Sequence, residues 1–301
     1  MKEAIAKAGA LIEAMSYIRQ FRGRVVVVKL GGSVLEDANL ENMLCDIAFM
    51  ATVGIRPIIV HGGGKAITKA MNEAGLEAVW VQGRRYTDQR TLTIAEHTLV
   101  HKVNTPICQA LSELGCDVMG LHSLSSCVLF AQTLRLGTED GRKIDLGLVG
   151  EVVEVNAGLL KSLCAAGTIP VIASIALDKA GEKLNVNADS AAGQVAASLQ
   201  AEKLVVVSDT HGILRDLQQP ESKVSSADQT QIKEMIDSGI ISGAMLPKVE
   251  ACLTALKGGV KKAHIIDGRI EHSLLLEIYT TEGVGTEIVR KTQDARPKTQ
   301  D

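Results

Sequence analysis

Aromatic side chains are scarce in this sequence: one Trp, three Tyr and three Phe, 2% of 301 residues. Binders of single-stranded nucleic acid stack bases on such rings, so that class has little to build on. An excess of charge of one sign is missing too. Thirty-two Lys plus Arg against 35 Asp plus Glu leave a net charge of -3, which provides no broad basic field for nucleic acid or an anionic membrane. Attraction for an anionic ligand must therefore be local. There is no C-x-x-C pair: Cys45, Cys108, Cys116, Cys127, Cys164 and Cys252 stand singly, without metal-type spacing to histidine, and read as reduced thiols of a cytosolic protein with no side-chain metal site. No apolar run approaches the ~20 residues of a membrane span, and no signal-peptide pattern opens the chain, so a cytoplasmic protein is expected.

What is present is the composition of a globular protein, 46% hydrophobic and 22% charged. Over Met1 to Arg22, Ile5, Ala8, Leu11, Ile12, Met15 and Ile18 recur at helical spacing with Glu3 and Glu13 between them, which predicts an amphipathic helix. Arg24 to Leu30, RVVVVKL, is a continuous β-branched run of the kind buried on both faces of a parallel sheet, and it ends in Gly31-Gly32. A helical stretch over Leu40 to Thr52 comes next. The second apolar run, Pro57 to Val60, ends in His61-Gly62-Gly63-Gly64 ahead of a helical segment reaching Gly75. From about Asp88 to Leu114 a long helical pattern carries Pro106, where a kink or break is predicted. Strand-like runs at Cys127–Ala131, Leu148–Val155, Thr168–Ile175 and Leu204–Ser208 alternate with helical ones such as Ala188–Leu199 and Ala244–Leu256. This alternation predicts an α/β fold in three layers, a mainly parallel central sheet between helices. No Gly/Ser-rich or Pro-rich linker divides the chain, so two lobes would meet within one fold, with the boundary placed near residue 200. Lys291 to Asp301 is polar and expected to fray.

Both glycine-rich turns, after Lys29 and after His61, follow a buried strand and precede a helix. Glycine lets backbone approach a ligand closely, and a helix N-terminus offers unpaired N–H groups to an anion. The plainer reading is that glycines make tight βα turns; two such turns on successive strands favour a site. Neither cluster fits G-x-x-x-x-G-K-[ST] or G-x-G-x-x-G, which removes the Walker ATPases and the Rossmann dehydrogenases. A lysine closing a valine run is costly to bury unless it faces a polar cleft, so Lys29 is a candidate ligand contact. Asn187-Ala-Asp189 ahead of an apolar helix reads as a helix cap, compatible with a further role.

In chain order, KLGG at Lys29–Gly32, GGG at Gly62–Gly64, GRRYTD at Gly83–Asp88, LNVNADS at Leu184–Ser190 and GAMLPK at Gly243–Lys248 resemble the N-acetylglutamate kinases of the amino acid kinase family, from about Arg24 to Val289. The resemblance implies transfer of a phosphoryl group from ATP, carried with Mg²⁺, to the side-chain carboxylate of N-acetyl-L-glutamate without a covalent enzyme intermediate, the second step of arginine biosynthesis. It implies that Lys29, Gly31 and Gly32 hold nucleotide phosphates and that Gly63 and Gly64 hold the acyl substrate. Arg85, matching G-x-R-x-T-D, would grip the carboxylate that is not phosphorylated, a task suited to the two parallel donors of a guanidinium. Asn185 is assigned to substrate, Asp189 to orienting the two catalytic lysines, and Lys248 to the second of these. Asp209 and Gly212 fall in the nucleotide loop. Residues 1–22 would be an oligomerisation helix, 23–200 the acyl-amino-acid lobe and 201–301 the nucleotide lobe.

Two segments depart from the family pattern. Gly120–Ser126 reads GLHSLSS where G-L-S-G-K-D is usual, and Asp209-Thr-His-Gly212 replaces D-x-P-G. The C-terminal stretch Glu271 to Thr286, with the extra N-terminal helix, is similar to arginine-inhibited members that assemble as hexamers, trimers of dimers. That likeness implies an arginine site near Tyr17, His272, Glu277 and Gly283; alternatively Leu274, Leu275, Leu276 and Ile278 simply pack a last helix on the core. Docking of a PII protein, known for some relatives in photosynthetic organisms, has no support in the sequence. Competing functions are another kinase of the family, acting on aspartate, glutamate or carbamate, and a weakly catalytic arginine-sensing relative. GRRYTD with N-x-N-A-D argues against the first, and the presence of Lys29, Lys248 and Asp189 against the second.

Overall fold

The structure is a computed structural model that describes residues 1–31, 34–36, 39–81, 83–137, 143–280 and 283–291. Helix α1 (Lys2–Phe21) leads into β1 (Val25–Leu30), α2 (Leu40–Thr52), β2 (Arg56–His61) and α3 (Gly64–Glu73). A short hairpin of β3 (Trp80–Val81) and β4 (Arg84–Arg85) precedes α4 (Gln89–His97), a π-helical segment (Thr98–Asn104), α5 (Thr105–Glu113) and β5 (Val118–Leu121). Then come β6 (Leu129–Thr133), β7 (Leu136–Gly137), β8 (Lys143–Ile144), β9 (Val149–Val155), α6 (Ala157–Ala165), β10 (Ile169–Ala173), β11 (Ile175–Leu177), β12 (Lys183–Val186) and α7 (Ala188–Leu199). The chain closes with β13 (Lys203–Ser208), β14 (Ser226–Asp228), α8 (Gln229–Asp237), α9 (Leu246–Lys257), β15 (Lys262–Asp267), α10 (Ser273–Tyr279) and β16 (Thr286–Val289).

Eight strands form one sheet in the order β14-β16-β15-β13-β1-β2-β10-β5, parallel except where β15 meets β16. Side chains on a strand alternate between faces, and β1 shows the consequence. Val27 joins the core under α6, α7, α8 and α9, whereas Val26, Val28 and Leu30 join the core under α2, α5 and α10. Lys29 therefore shares the α7–α9 face with Val27. Phe21 anchors the end of α1 in the second core, with Tyr17 and Ile18 packed beside it, while Ile5, Ile12 and Met15 are exposed.

The three-layer expectation holds, with two corrections. The runs at Cys127–Ala131 and Leu148–Val155 do not enter the central sheet: β6, β9, β11 and β12 close on themselves as a separate small sheet. The run Thr168–Ile175 splits at Ser174, β10 serving the central sheet and β11 the closed one. Pro106 does not itself break the long helix. Helical backbone runs on from the π segment through Asn104 and Thr105 into α5, so the irregularity predicted there takes the form of wider turns directly upstream of a residue with no N–H to donate. All six cysteines are free. Among the described residues no helix is long and apolar enough to cross a membrane.

Candidate functional site

The C-terminal ends of β1 and β2 point at the N-terminus of α7, and the buried charges meet there. Asn187 caps α7, its side chain accepting from Ser190 N at 2.9 Å, and Asp189 follows in the first turn. Asp189 is 6% exposed. It holds Lys29 Nζ at 2.8 Å through Oδ1 and Lys248 Nζ at 4.0 Å through Oδ2. Burial alone would raise the Asp189 pKa, but the two lysines outweigh it and hold the carboxyl below its usual range. Lys248, in the first turn of α9, is pushed below the ordinary lysine value by burial, then by Lys29; Asp189 opposes the shift. One anion thus keeps two cations together that would otherwise repel.

Beside this triad lies a cavity of about 200 Å³ lined by Lys29, Gly63, Gly64, Arg85, Asn185 and Asp189, so every residue expected to meet the acyl substrate reaches it. A Cβ on Gly63 would stand 2.8 Å from Leu99 Cδ2, so that side chain would have to shift, whereas a Cβ on Gly64 would enter open space. Arg85 is buried, and its Nη2 donates to Gly64 O at 3.0 Å and Thr68 Oγ1 at 2.7 Å. Its guanidinium lies 4.6 Å from the ring centre of Trp80, a cation–π contact. Asn185 Nδ2 donates to Thr87 Oγ1 at 3.1 Å. Trp80, Arg84 and Ser174 also line the cavity and were not singled out from sequence. The hairpin pairing of Trp80 with Arg85 is the signal that could have found Trp80.

The residues expected on the nucleotide side sit at the ends of neighbouring strands. Gly31 is buried and close to Val207 O, where a Cβ would come within 3.0 Å; Gly32 lies outside the described residues. Asp209 is exposed just past β13. Gly212 has φ +96° and a Cβ there would stand 2.6 Å from Thr286 Oγ1, so its role is at least to let this loop pass. His211, the departure from the family pattern, places Nδ1 2.9 Å from Asp267 Oδ2, and Arg269 clasps the same carboxylate at 2.8 and 2.6 Å. The altered Gly120–Ser126 turn is held by Ser125 Oγ donating to Gly120 O at 3.0 Å and by Ser123 on Glu96. Among the described residues no group of three His, Cys, Asp or Glu side chains is placed to hold a metal ion.

The four residues expected around arginine are only partly brought together. Tyr17 and Glu277 line one cavity of about 300 Å³ between α1 and the sheet, with Glu202, Lys203 and Glu287. The Glu277 carboxylate is buried and accepts from Val284 N at 2.8 Å and Gly285 N at 3.0 Å, with His264 Nδ1 at 2.6 Å. His272 does not line this cavity; it pairs with buried Asp46 at 2.6 Å. Gly283 does not line it either, and its N–H donates to Thr280 Oγ1 at 3.1 Å.

A lysine pair clamped by an aspartate, a glycine cradle and an arginine around one acceptor-sized cavity, on this sheet, are the parts of a small-molecule kinase. The chain belongs to the amino acid kinase family, whose pattern matches residues 24–267. Acetylglutamate kinases are its relatives over nearly the whole length. That of Caldanaerobacter subterraneus subsp. tengcongensis is 43% identical over 293 residues, covering 97% of this chain and 96% of the relative. That of Synechocystis sp. is 42% identical, covering 97% of each. An N-acetylglutamate synthase from Neisseria gonorrhoeae, complexed with coenzyme A and N-acetyl-glutamate, superposes with a TM-score of 0.82 at 26% identity. The match covers 95% of this chain and 64% of that one, so this chain spans less than two thirds of that longer protein. A carbamate kinase from Giardia lamblia bound to AMP-PNP shares the fold, with a TM-score of 0.65 at 15% identity over 89% of this chain and 98% of that one.

Proposed function

We propose that the protein transfers the γ-phosphoryl group of ATP to the side-chain carboxylate of N-acetyl-L-glutamate, giving N-acetylglutamyl 5-phosphate, a step of arginine biosynthesis. The observation that carries this is the Asp189 clamp on Lys29 and Lys248 at 2.8 and 4.0 Å, beside a cavity whose lining includes Gly63, Gly64, Arg85 and Asn185. The near-full-length likeness to acetylglutamate kinases supports the choice of acceptor.

The chemistry follows from charge. A carboxylate and a phosphoryl oxygen about 3 Å apart repel by about 5 kcal/mol at an effective dielectric of about 20. Phosphoryl transfer has a loose transition state, so positioning and charge stabilisation do most of the catalysis. Lys29, from β1, and Lys248, from α9, supply two cations, and Asp189 fixes where they stand. A carboxylate acceptor is already ionised at neutral pH, so no general base is required. Mg²⁺ entering with the nucleotide supplies further positive charge on the phosphate oxygens. Arg85 and Asn185 hold the acceptor's other carboxylate and acyl group; with the division at residue 200 every acceptor contact falls in the first lobe, while nucleotide contacts come from both, Lys29 and Gly31 from the first and Asp209, Gly212 and Lys248 from the second. Arginine regulation belongs to this reading as well: the cavity between α1 and the sheet is lined by Tyr17, by Glu202, Glu277 and Glu287 and by Lys203, Lys261 and Lys262, with Lys261 on Glu202 and Lys262 on Glu287, so an amino acid carrying both charges has partners there, and the exposed Ile5, Ile12 and Met15 of α1 suit helix-to-helix assembly into a hexamer.

A coupled ADP-release assay across N-acetyl-L-glutamate, glutamate, aspartate and carbamate, with and without arginine, tests it. Turnover on N-acetyl-L-glutamate well above the others is expected. Preference for another acid would replace the acceptor, and binding without turnover would make the protein a sensor.

A further inference from the structure

Behind the acceptor cavity lies a buried polar pair that the proposed chemistry does not use. His61 ends β2 and is fully buried. Asn104 ends the π segment, is 1% exposed, and through Nδ2 meets both Val171 O and His61 Nε2 at 2.9 Å. Orientation is forced: a backbone carbonyl only accepts, so the amide nitrogen faces Val171 and its second hydrogen faces His61. Nε2 of His61 must then be the acceptor. The ring proton is left on Nδ1, which donates to Gly62 O at 3.0 Å. Burial, the largest influence, pushes this histidine down to about 4, so the ring stays neutral around pH 7.

The effect falls on the next peptide. In a trans peptide the C=O and N–H point in opposite directions, and the described chain has no cis bond. Holding Gly62 O toward the buried ring turns the Gly63 N–H the other way, toward the side where the glycines line the cavity. Packing carries the same message. A Cβ on Gly63 would press on Leu99 Cδ2 at 2.8 Å and reach contact distance of Val103 Cγ2 at 3.4 Å, and the atom that would collide with one on Gly120 is Asn104 Oδ1. Leu99, Val103 and Asn104 all belong to the π segment. One residue more or less in a helix rotates every later side chain by about 100° about the axis, so this wider turn sets Asn104, at its end, toward His61 while Leu99, near its start, packs on Gly63. Such segments recur at functional sites.

We propose that Asn104, carried by the π segment, is a positioning residue of the acceptor site, fixing through His61 the Gly62–Gly63 peptide with its N–H toward the acceptor carboxylate. This rests on Gly63 and Gly64 being acceptor contacts. Steady-state kinetics on the full chain with N-acetyl-L-glutamate and ATP test it. Asn104→Ala is expected to raise KM for the acyl amino acid by about ten-fold or more, the loss of a hydrogen bond to a charged group, with KM for ATP nearly unchanged. His61→Asn puts an amide where Nδ1 was and should retain much of the affinity; His61→Gln reaches only the Nε2 position and should not. Equal KM values in the two His61 variants, or parallel losses for both substrates, would overturn the proposal and leave packing alone. Should Asn104→Ala fail to fold, the order of the His61 variants decides. Gly64→Ala separates the two levels, because its methyl enters open space. If it leaves the acyl KM unchanged, the acceptor reading of the turn falls; if it raises that KM while Asn104→Ala does not, only the positioning role falls.

Discussion

Replacing Asp189 by asparagine removes one charge and keeps the shape, which isolates what the carboxylate does. With Lys29 Nζ at 2.8 Å and Lys248 Nζ at 4.0 Å, an effective dielectric of about 20 assigns about 6 and about 4 kcal/mol to the two attractions. Desolvation of buried charges cancels much of that, and removing one member of a buried pair costs about 3–5 kcal/mol in practice. At roughly 2–4 °C per kcal/mol, Tm should fall on the order of 6–20 °C. The pH dependence has a definite sign. Because the Asp189 pKa is lowered in the fold, its stabilisation is complete above the ordinary carboxylate value of about 4 and is lost as pH falls through the lower folded value. The gap between variant and parent should therefore be flat through neutral pH and close only in acid. Kinetics give an independent check. Lys248 already sits below the ordinary lysine pKa, and Asp189 opposes that shift. Without the carboxylate, Lys248 should lose its proton at lower pH, moving the basic limb of the kcat/KM profile toward neutrality. Melting curves and a pH–rate profile measure both, and an Asp189→Asn protein with the parent's Tm and an unmoved basic limb would refute the clamp.

Lys29→Ala and Lys248→Ala should each lower kcat by roughly 10²–10³-fold, the range for losing one group that stabilises developing charge; near-parental kcat at saturating substrates removes that lysine from the chemistry. Arg85→Lys loses the planar fork and the Trp80 stacking, so KM for the acyl amino acid should rise with little change for ATP; equal effects on both would place Arg85 elsewhere. Deleting residues 1–22 should turn hexamers into dimers and weaken arginine inhibition while leaving catalysis, as light scattering and an arginine titration would show. A full-length protein that is a dimer and ignores millimolar arginine would sink that expectation.

The elements with strong local signals were legible in the sequence. Apolar runs leading into glycines became β1 and β2, Leu40–Thr52 and Ala188–Leu199 became α2 and α7 with those bounds, and Lys29, Gly63, Gly64, Arg85, Asn185 and Asp189 gathered at one cavity. What stayed hidden depends on contacts between distant segments. Alternation identifies a strand without naming its sheet, so nothing in Leu148–Val155 announced the small closed sheet. A π segment differs from an α-helix by less than one residue per turn, too little for Thr98–Asn104 to register in hydrophobic spacing. Tyr17 and His272 were grouped by likeness; His272, at the start of α10, pairs with Asp46 of α2 and does not line the cavity that Tyr17 shares with Glu277.

The central sheet also sets a timetable for folding. β1 pairs with β2 on one side and, on the other, with β13, Leu30 lying opposite Val207. At a synthesis rate of about 5–20 residues per second, the second edge of VVVVKL waits roughly 9–36 s for its partner to be made. For that interval the nascent chain carries an apolar strand with an open ladder, the kind of edge that recruits other chains. Long-range parallel pairing of this sort is intrinsically slow. Yield in a cell or on refolding should therefore be limited by association of unfinished chains, a hazard that holdase chaperones and dilution relieve and that added stability of the finished enzyme would leave untouched.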